Sequence, residues 1–264
     1  MKLILSGFGR MGQALFNGWQ KESAARDCLI IEPFAEKAPD GATLYKNIDD
    51  VPQNTAADAV IFAVKPQVMA DVLPPYRRFI SEGTVFISIA AGKTIAVMED
   101  LLSPEAKIIR AMPNTPAAVG KGITVACGNS RVTEADKKTA LALLEATGKA
   151  LWTDDEARMN AVTAVSGSGP AYVFYLIETL AAAGEKSGLP PETAMALARE
   201  TVIGSAALAA DAADTPAAAL REAVTSPGGT TAAALAVLMD EKAGLQQLMD
   251  KAIAAATARG KELE

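Results

Sequence analysis

Six residues near the start of the chain constrain its fold more than any others: Gly7-Phe8-Gly9-Arg10-Met11-Gly12. They follow Lys2–Ser6, which reads as a short buried strand, and open a helical pattern over residues 11–24. A G-x-G-x-x-G alone is a weak signal, because any tight glycine turn can produce it. Between a strand and a helix at the beginning of a chain it is the dinucleotide fingerprint. Its glycines permit the turn and let backbone approach a pyrophosphate closely. The helix start then offers unpaired N–H groups to the phosphates.

The same fingerprint expects an acid about 20 residues further on, at the end of the second strand. Residues 28–33 read as that strand, and Glu32 stands at its end. Its carboxylate can accept both ribose hydroxyls of NAD and would repel the 2′-phosphate of NADP. Lys37 is the nearest cation that could rescue phosphate binding. The local residues therefore lean towards NADH, with Glu32 as a solvated loop acid the alternative.

Further strands are expected at residues 59–64, 84–89, Lys107–Met112, 122–127 and 150–153. The continuous apolar run at 59–64 is typical of parallel sheets. Pro66 opens a helically spaced segment that Pro74-Pro75 interrupts. Residues 133–147 read as a helix, with Thr133 as N-cap and Asp136 completing a box-like arrangement. Past the acidic stretch 153–156, strand signals fade and alanine-rich helical patterns take over. The reading is an α/β Rossmann-like domain with a parallel sheet over residues 1–155, then an all-α domain over 156–264. Helices apolar on more than one face, as over 206–213, need cover on every side. We expect a homodimer through the helical half, the alternative being a compact single-chain bundle.

Composition narrows the chemistry. The chain has no histidine, which excludes a Ser-His-Asp triad, His-bound zinc and His acid–base catalysis, and no metal is expected. The net charge is -6 without a Lys/Arg cluster, which disfavours nucleic acid and anionic membranes. No stretch approaches the roughly 20 apolar residues of a spanning helix. The N-terminal apolar run is about four residues long and leads into the glycine loop rather than a cleavage site. Cys28 and Cys127 lie in apolar runs and read as reduced, buried residues. We expect a cytoplasmic protein.

Four further segments carry a resemblance. They are Ala63-Val64-Lys65-Pro66-Gln67, Arg110-Ala111-Met112-Pro113-Asn114-Thr115-Pro116, Ser166-Gly167-Ser168-Gly169-Pro170-Ala171-Tyr172, and Thr225-Ser226-Pro227-Gly228-Gly229-Thr230-Thr231. In this order, after a glycine loop ending in Met-Gly, the chain resembles the pyrroline-5-carboxylate reductases nearly end to end. The last two segments are the more specific. The resemblance implies a Rossmann domain and a helical domain that interlocks with its copy, with dimers often assembling further. It implies hydride transfer from NAD(P)H to the C=N carbon of a cyclic imino acid, giving L-proline, and members mostly use NADPH. It also implies that the Thr231 hydroxyl bonds the ring nitrogen and that Glu156 faces the substrate.

The residues suit these tasks. Ala63, Val64, Lys65 and Pro66 end a strand at the carboxyl edge of the sheet, where open α/β sheets bind ligands. Asn114, in a turn shaped by two prolines, can orient the nicotinamide amide. Backbone N–H groups of Gly228, Gly229 and Thr230, beside Ser226, can hold a substrate carboxylate at a helix start. The alternative there is a simple helix cap by Ser226. A cyclic imine can take its proton from water before hydride arrives, so the missing histidine is no obstacle.

Three positions depart from the family pattern: Arg10 in place of a small polar residue, Glu-Pro-Phe at 32–34, and Asn160 in place of Asp. A β-hydroxyacid dehydrogenase also starts with such a loop but needs a lysine on the first helix of its second domain. Here that helix reads as 170–183, with Lys186 beyond it. A dinucleotide-binding protein without turnover is the remaining alternative, and the loop at 225–231 weighs against it.

Overall fold

The computed structural model describes residues 1–22 and 27–264. Packing divides the chain into one unit of Met1–Ser168 with Ala256–Glu264, and a second of Gly169–Ala255.

The first unit is built on eight strands: β1 Lys2–Ser6, β2 Asp27–Ile31, β3 Ala42–Tyr45, β4 Ala59–Phe62, β5 Val85–Ser88, β6 Lys107–Met112, β7 Gly122–Gly128 and β8 Gly148–Trp152. They form one sheet in the order β3-β2-β1-β4-β5-β6-β7-β8. The first six run parallel, as expected. β7 is antiparallel to β6, and β8 is parallel to β7. Residues 113–121, which join β6 to β7, are too few for a crossover to the same edge direction, so the chain turns back.

Strand alternation feeds two cores. Ile4, Val60, Phe62, Phe86 and Ile108 pack on one face with Met69, Tyr76, Met98 and Met159. Leu3, Leu5, Ile61, Ile87 and Ile109 pack on the other with Leu15, Phe16, Trp19 and Leu143. The helices of this unit are α1 Arg10–Lys21, α2 Met69–Val72, α3 Ile95–Leu101, α4 Glu134–Glu145 and α5 Met159–Val162. Trp19 Nε1 donates to the Leu143 carbonyl at 2.8 Å, tying α1 to α4 through the buried layer. The expected run of α1 to residue 24 falls partly outside the described residues. Thr133 and Asp136 form the expected capping box of α4. Strand β3 and helix α3 have no counterpart in the sequence reading.

The second unit holds α6 Gly169–Lys186, α7 Pro191–Asp211, α8 Ala217–Ala223, α9 Thr230–Leu238 and most of α10 Leu245–Glu262. One expectation is corrected here. α6 runs on to Lys186, so that lysine is the last residue of the helix rather than beyond it; a single glycine, Gly184, is tolerated inside the helix, which stops only before Gly188. Lys186 is exposed, and the helix body carries no other lysine. Phe174, Tyr175, Leu197, Ile203, Leu208 and Val237 are each more than half exposed. Among the described residues no helix is long and apolar enough to cross a membrane.

Candidate dinucleotide and substrate site

The strand order reverses between β1 and β4, and that switch point is where open α/β sheets bind ligands. The glycine loop leaves β1 there. Gly7 has φ +94°, and a Cβ on it would lie 2.7 Å from the backbone C and O of Ala63. The loop and the 63–66 segment are thus packed directly on one another. A Cβ on Gly12 would lie 2.4 Å from the Gly7 carbonyl oxygen, so α1 can sit this close to the loop only with glycine there. A Cβ on Gly9 would meet no atom within 4 Å. Gly9 is the N-cap of α1, without a side-chain cap, and Arg10 is its exposed first residue. The loop therefore presents uncapped N–H groups and room above them, which is what a pyrophosphate requires.

Glu32 follows β2 and its carboxylate lies over this loop. Its Oε2 accepts from the Phe8 N–H at 2.8 Å, and its Oε1 accepts from the Phe34 N–H at 3.3 Å. A carboxylate has about four lone-pair sites, so ribose hydroxyls can still be accommodated. The turn after it is held from β3. Lys46 Nζ donates to the carbonyl of Pro33 at 3.2 Å and to that of Ala35. Lys46 was not foreseen, because β3 was not.

At the other end of the sheet, one face of β6 is tied to the connector that follows β8. Arg110 is 3% exposed. Its Nη1 donates to Glu156 Oε1 at 2.9 Å and to Glu264 Oε1 at 3.1 Å. Glu156 Oε1 also accepts from the Ile95 N–H, the first residue of α3, at 2.8 Å. Two positions along, Met112 lies against Gly167, where a Cβ would be 2.6 Å from the methionine methyl. Asn114 then donates from Nδ2 to the Ser166 carbonyl at 3.2 Å and accepts from the Ile123 N–H at Oδ1, at 2.9 Å. Asn114 keeps a second amide hydrogen for a ligand.

The connector itself is a π-turn, Thr163–Gly167, in which the Ser168 N–H reaches the Thr163 carbonyl at 2.9 Å. The hydroxyls of Thr163 and Ser166 bond the carbonyls of Met159 and Val162. Such widened turns recur at functional sites. Asn160 is buried, and its Oδ1 would lie 2.9 Å from a Cβ on Gly260. The glycine in α10 is what leaves it room.

Removing the Arg110 guanidinium exposes this row. Arg110→Met is expected to cost about 2 kcal/mol of unfolding free energy by denaturant titration. That is below the ~3–5 kcal/mol of a fully buried pair, because Glu156 and Glu264 keep 32% and 28% of their side-chain surface in water.

In the second unit, residues 225–231 lead into α9. Gly228 has φ +72° with open space around it, and a Cβ on Gly229 would lie 2.5 Å from Ser226 Oγ. Gly229 is the N-cap of α9 and has no side chain of its own to cap it. Thr230 and Thr231 are the first two helical residues. The helix start is therefore available to an anion. Cys28 and Cys127 are buried and unpaired, and burial pushes both thiols up to about 12. Among the described residues no group of three or more His, Cys, Asp or Glu could hold a metal ion.

A doubly wound sheet with a glycine loop at its switch point, followed by a helical region, defines a dinucleotide-dependent oxidoreductase class. Residues 156–263 match the family model for pyrroline-5-carboxylate reductase dimerisation, and 3–92 that for NADP oxidoreductase, coenzyme F420-dependent. The chain is 39% identical to the pyrroline-5-carboxylate reductase of Pseudomonas aeruginosa, over 99% of this chain and 96% of that one. A solved pyrroline-5-carboxylate reductase from Coxiella burnetii superposes with a TM-score of 0.91 at 32% identity, covering 100% of this chain and 98% of the other. The Plasmodium falciparum pyrroline carboxylate reductase, solved with NADP bound, gives a TM-score of 0.82 at 30% identity with the same coverage. The chain belongs to the pyrroline-5-carboxylate reductase family.

Proposed function

We propose that this protein reduces the C=N bond of 1-pyrroline-5-carboxylate to give L-proline, with a nicotinamide dinucleotide as reductant. The observation that carries the reading is the glycine loop, open above Gly9 and with Glu32 held on the Phe8 N–H, in a chain of this family. When bound, the nicotinamide supplies the hydride. The chain's own residues bind and orient. The N–H groups of Gly9, Arg10, Met11 and Gly12, beside Gly7 and Phe8, hold the pyrophosphate. Glu32 takes the adenosine ribose, which favours NADH over NADPH. Ala63, Val64, Lys65 and Pro66 line the other ribose, and the spare amide hydrogen of Asn114 meets the nicotinamide amide.

The N–H groups of Gly228, Gly229 and Thr230, beside Ser226, hold the substrate carboxylate, and the Thr231 hydroxyl bonds the ring nitrogen. Glu156 faces the substrate, as the family resemblance implies, and its Oε1, on Arg110 and Ile95, also anchors the connector to β6. Positioning two rings and meeting the carboxylate charge supply the rate. The apolar side chains exposed on α6, α7 and α9 support a homodimer through residues 156–264. Two unpaired cysteines support a cytoplasmic setting.

Oxidation of NADH and NADPH, measured side by side with pyrroline-5-carboxylate, tests this. Turnover with either supports the reductase. Folded protein that oxidises neither would overturn it in favour of dinucleotide binding without turnover. Thr231→Ala is expected to lower kcat by roughly tenfold, the worth of one hydrogen bond to a reacting ring, while cofactor affinity is unchanged. A collapse of cofactor affinity instead would remove Thr231 from the substrate.

A further inference from the structure

Phe34 is 90% exposed, more than any other large apolar side chain among the described residues. It adds nothing to either core, yet its backbone is fixed. Its N–H donates to Glu32 Oε1, and Lys46 holds the carbonyls of the residues on either side, Pro33 and Ala35. The other oxygen of Glu32 is on the Phe8 N–H of the glycine loop. This chain of bonds sets a water-facing phenyl ring on the rim of the dinucleotide site, one step out from the acid that takes the ribose. In a dinucleotide the group one step out from that ribose is the base.

We infer that Phe34 is the platform on which the adenine of the bound dinucleotide stacks. A flat apolar ring on a braced turn gains from a purine face what it loses to water when bare, and aromatic stacking of bases needs no hydrogen-bond readout. In sequence, Glu-Pro-Phe at 32–34 stands as a departure from the family pattern in which Glu32 alone has a role. Here the departure is an adenine contact. The inference rests on the nicotinamide reading above.

The test is direct binding. NADH is titrated by its own fluorescence into wild type, Phe34→Ala and Phe34→Trp. Reduced nicotinamide mononucleotide, which lacks adenosine, is titrated in parallel. Phe34→Ala is expected to raise the Kd for NADH about tenfold, leave that for the mononucleotide unchanged, and leave the melting temperature unchanged; Phe34→Trp retains NADH affinity. An unchanged NADH Kd in Phe34→Ala overturns the inference. So does an equal loss for the mononucleotide, which would make Phe34 a support of the glycine loop. Wild-type protein that binds neither NADH nor NADPH fails the nicotinamide reading itself, a result separable from the others because it appears before any substitution.

Discussion

Gly9→Ala is expected to leave the fold as stable as before while the chain loses its dinucleotide. Gly9 has φ -70°, ordinary backbone for any residue, and a Cβ there meets nothing within 4 Å. Alanine at such a position changes stability by well under ~1 kcal/mol, and in the stabilising direction if it reduces the freedom of the unfolded chain. The new methyl group instead occupies the space above the start of α1. A pyrophosphate held by those N–H groups has to approach the backbone at that point, so the methyl pushes it off. We expect the Kd for NADH to rise about 10–100-fold, equivalent to ~1.4–2.8 kcal/mol, with an unchanged melting temperature. Unchanged affinity would mean that the phosphates do not cross Gly9.

Gly7→Ala has the opposite signature. Its φ of +94° is strained for any L side chain, and the new Cβ would lie 2.7 Å from two backbone atoms of Ala63. Left-handed strain costs ~1–3 kcal/mol and overpacking ~1–3 more. Stability falls first, and binding falls with it. Two glycines of one motif are thus separated by what a methyl group would strike: protein in one case, ligand space in the other.

That distinction was only partly legible in the sequence. The motif, the acid at Glu32 and the strands β1, β4, β5 and β6 are written in local pattern: apolar runs bounded by glycine, proline and charge. β3 is not, because it is a short edge strand with no buried residue, and nothing in Ala42–Tyr45 marks it as paired. Missing it hid Lys46, which braces the turn carrying Phe34. β7 was expected as a strand at 122–127, but its antiparallel direction was not, since a strand's direction lies in its connection and not in its composition. Asn114 and Glu156 were recognised as important, but their partners Ser166, Ile123, Arg110 and Ile95 are distant in sequence and meet only once the sheet is built. Motif reading found these residues as ligands of small molecules. The fold also uses them to bind β6 to its connector.

The cofactor preference turns on Glu32. Its carboxylate is held over the glycine loop by the Phe8 N–H, so a 2′-phosphate on the adenosine ribose would meet a fixed negative charge. Two like charges 4 Å apart repel by about 4 kcal/mol at an effective dielectric of 20, and solvent at this half-exposed rim reduces that to roughly 2–3 kcal/mol. Lys46 offsets part of it, but its ammonium is already engaged by the carbonyls of Pro33 and Ala35. We therefore expect kcat/KM to favour NADH over NADPH by roughly 30–100-fold. Glu32→Ser should bring the ratio to near one, chiefly by improving NADPH, since serine keeps a hydroxyl for either ribose. The carbonyls of Pro33 and Ala35 still hold Lys46 in that variant, so the cation then acts on the phosphate unopposed. Adding Lys46→Met to Glu32→Ser should cost NADPH its gain, while NADH, which loses only the brace of the Phe34 turn, should fall by less. If the wild-type protein prefers NADPH and Glu32→Ser leaves the ratio unmoved, the carboxylate is a brace for the glycine loop alone. Arg10 and Lys46 would then be the groups that meet the phosphate.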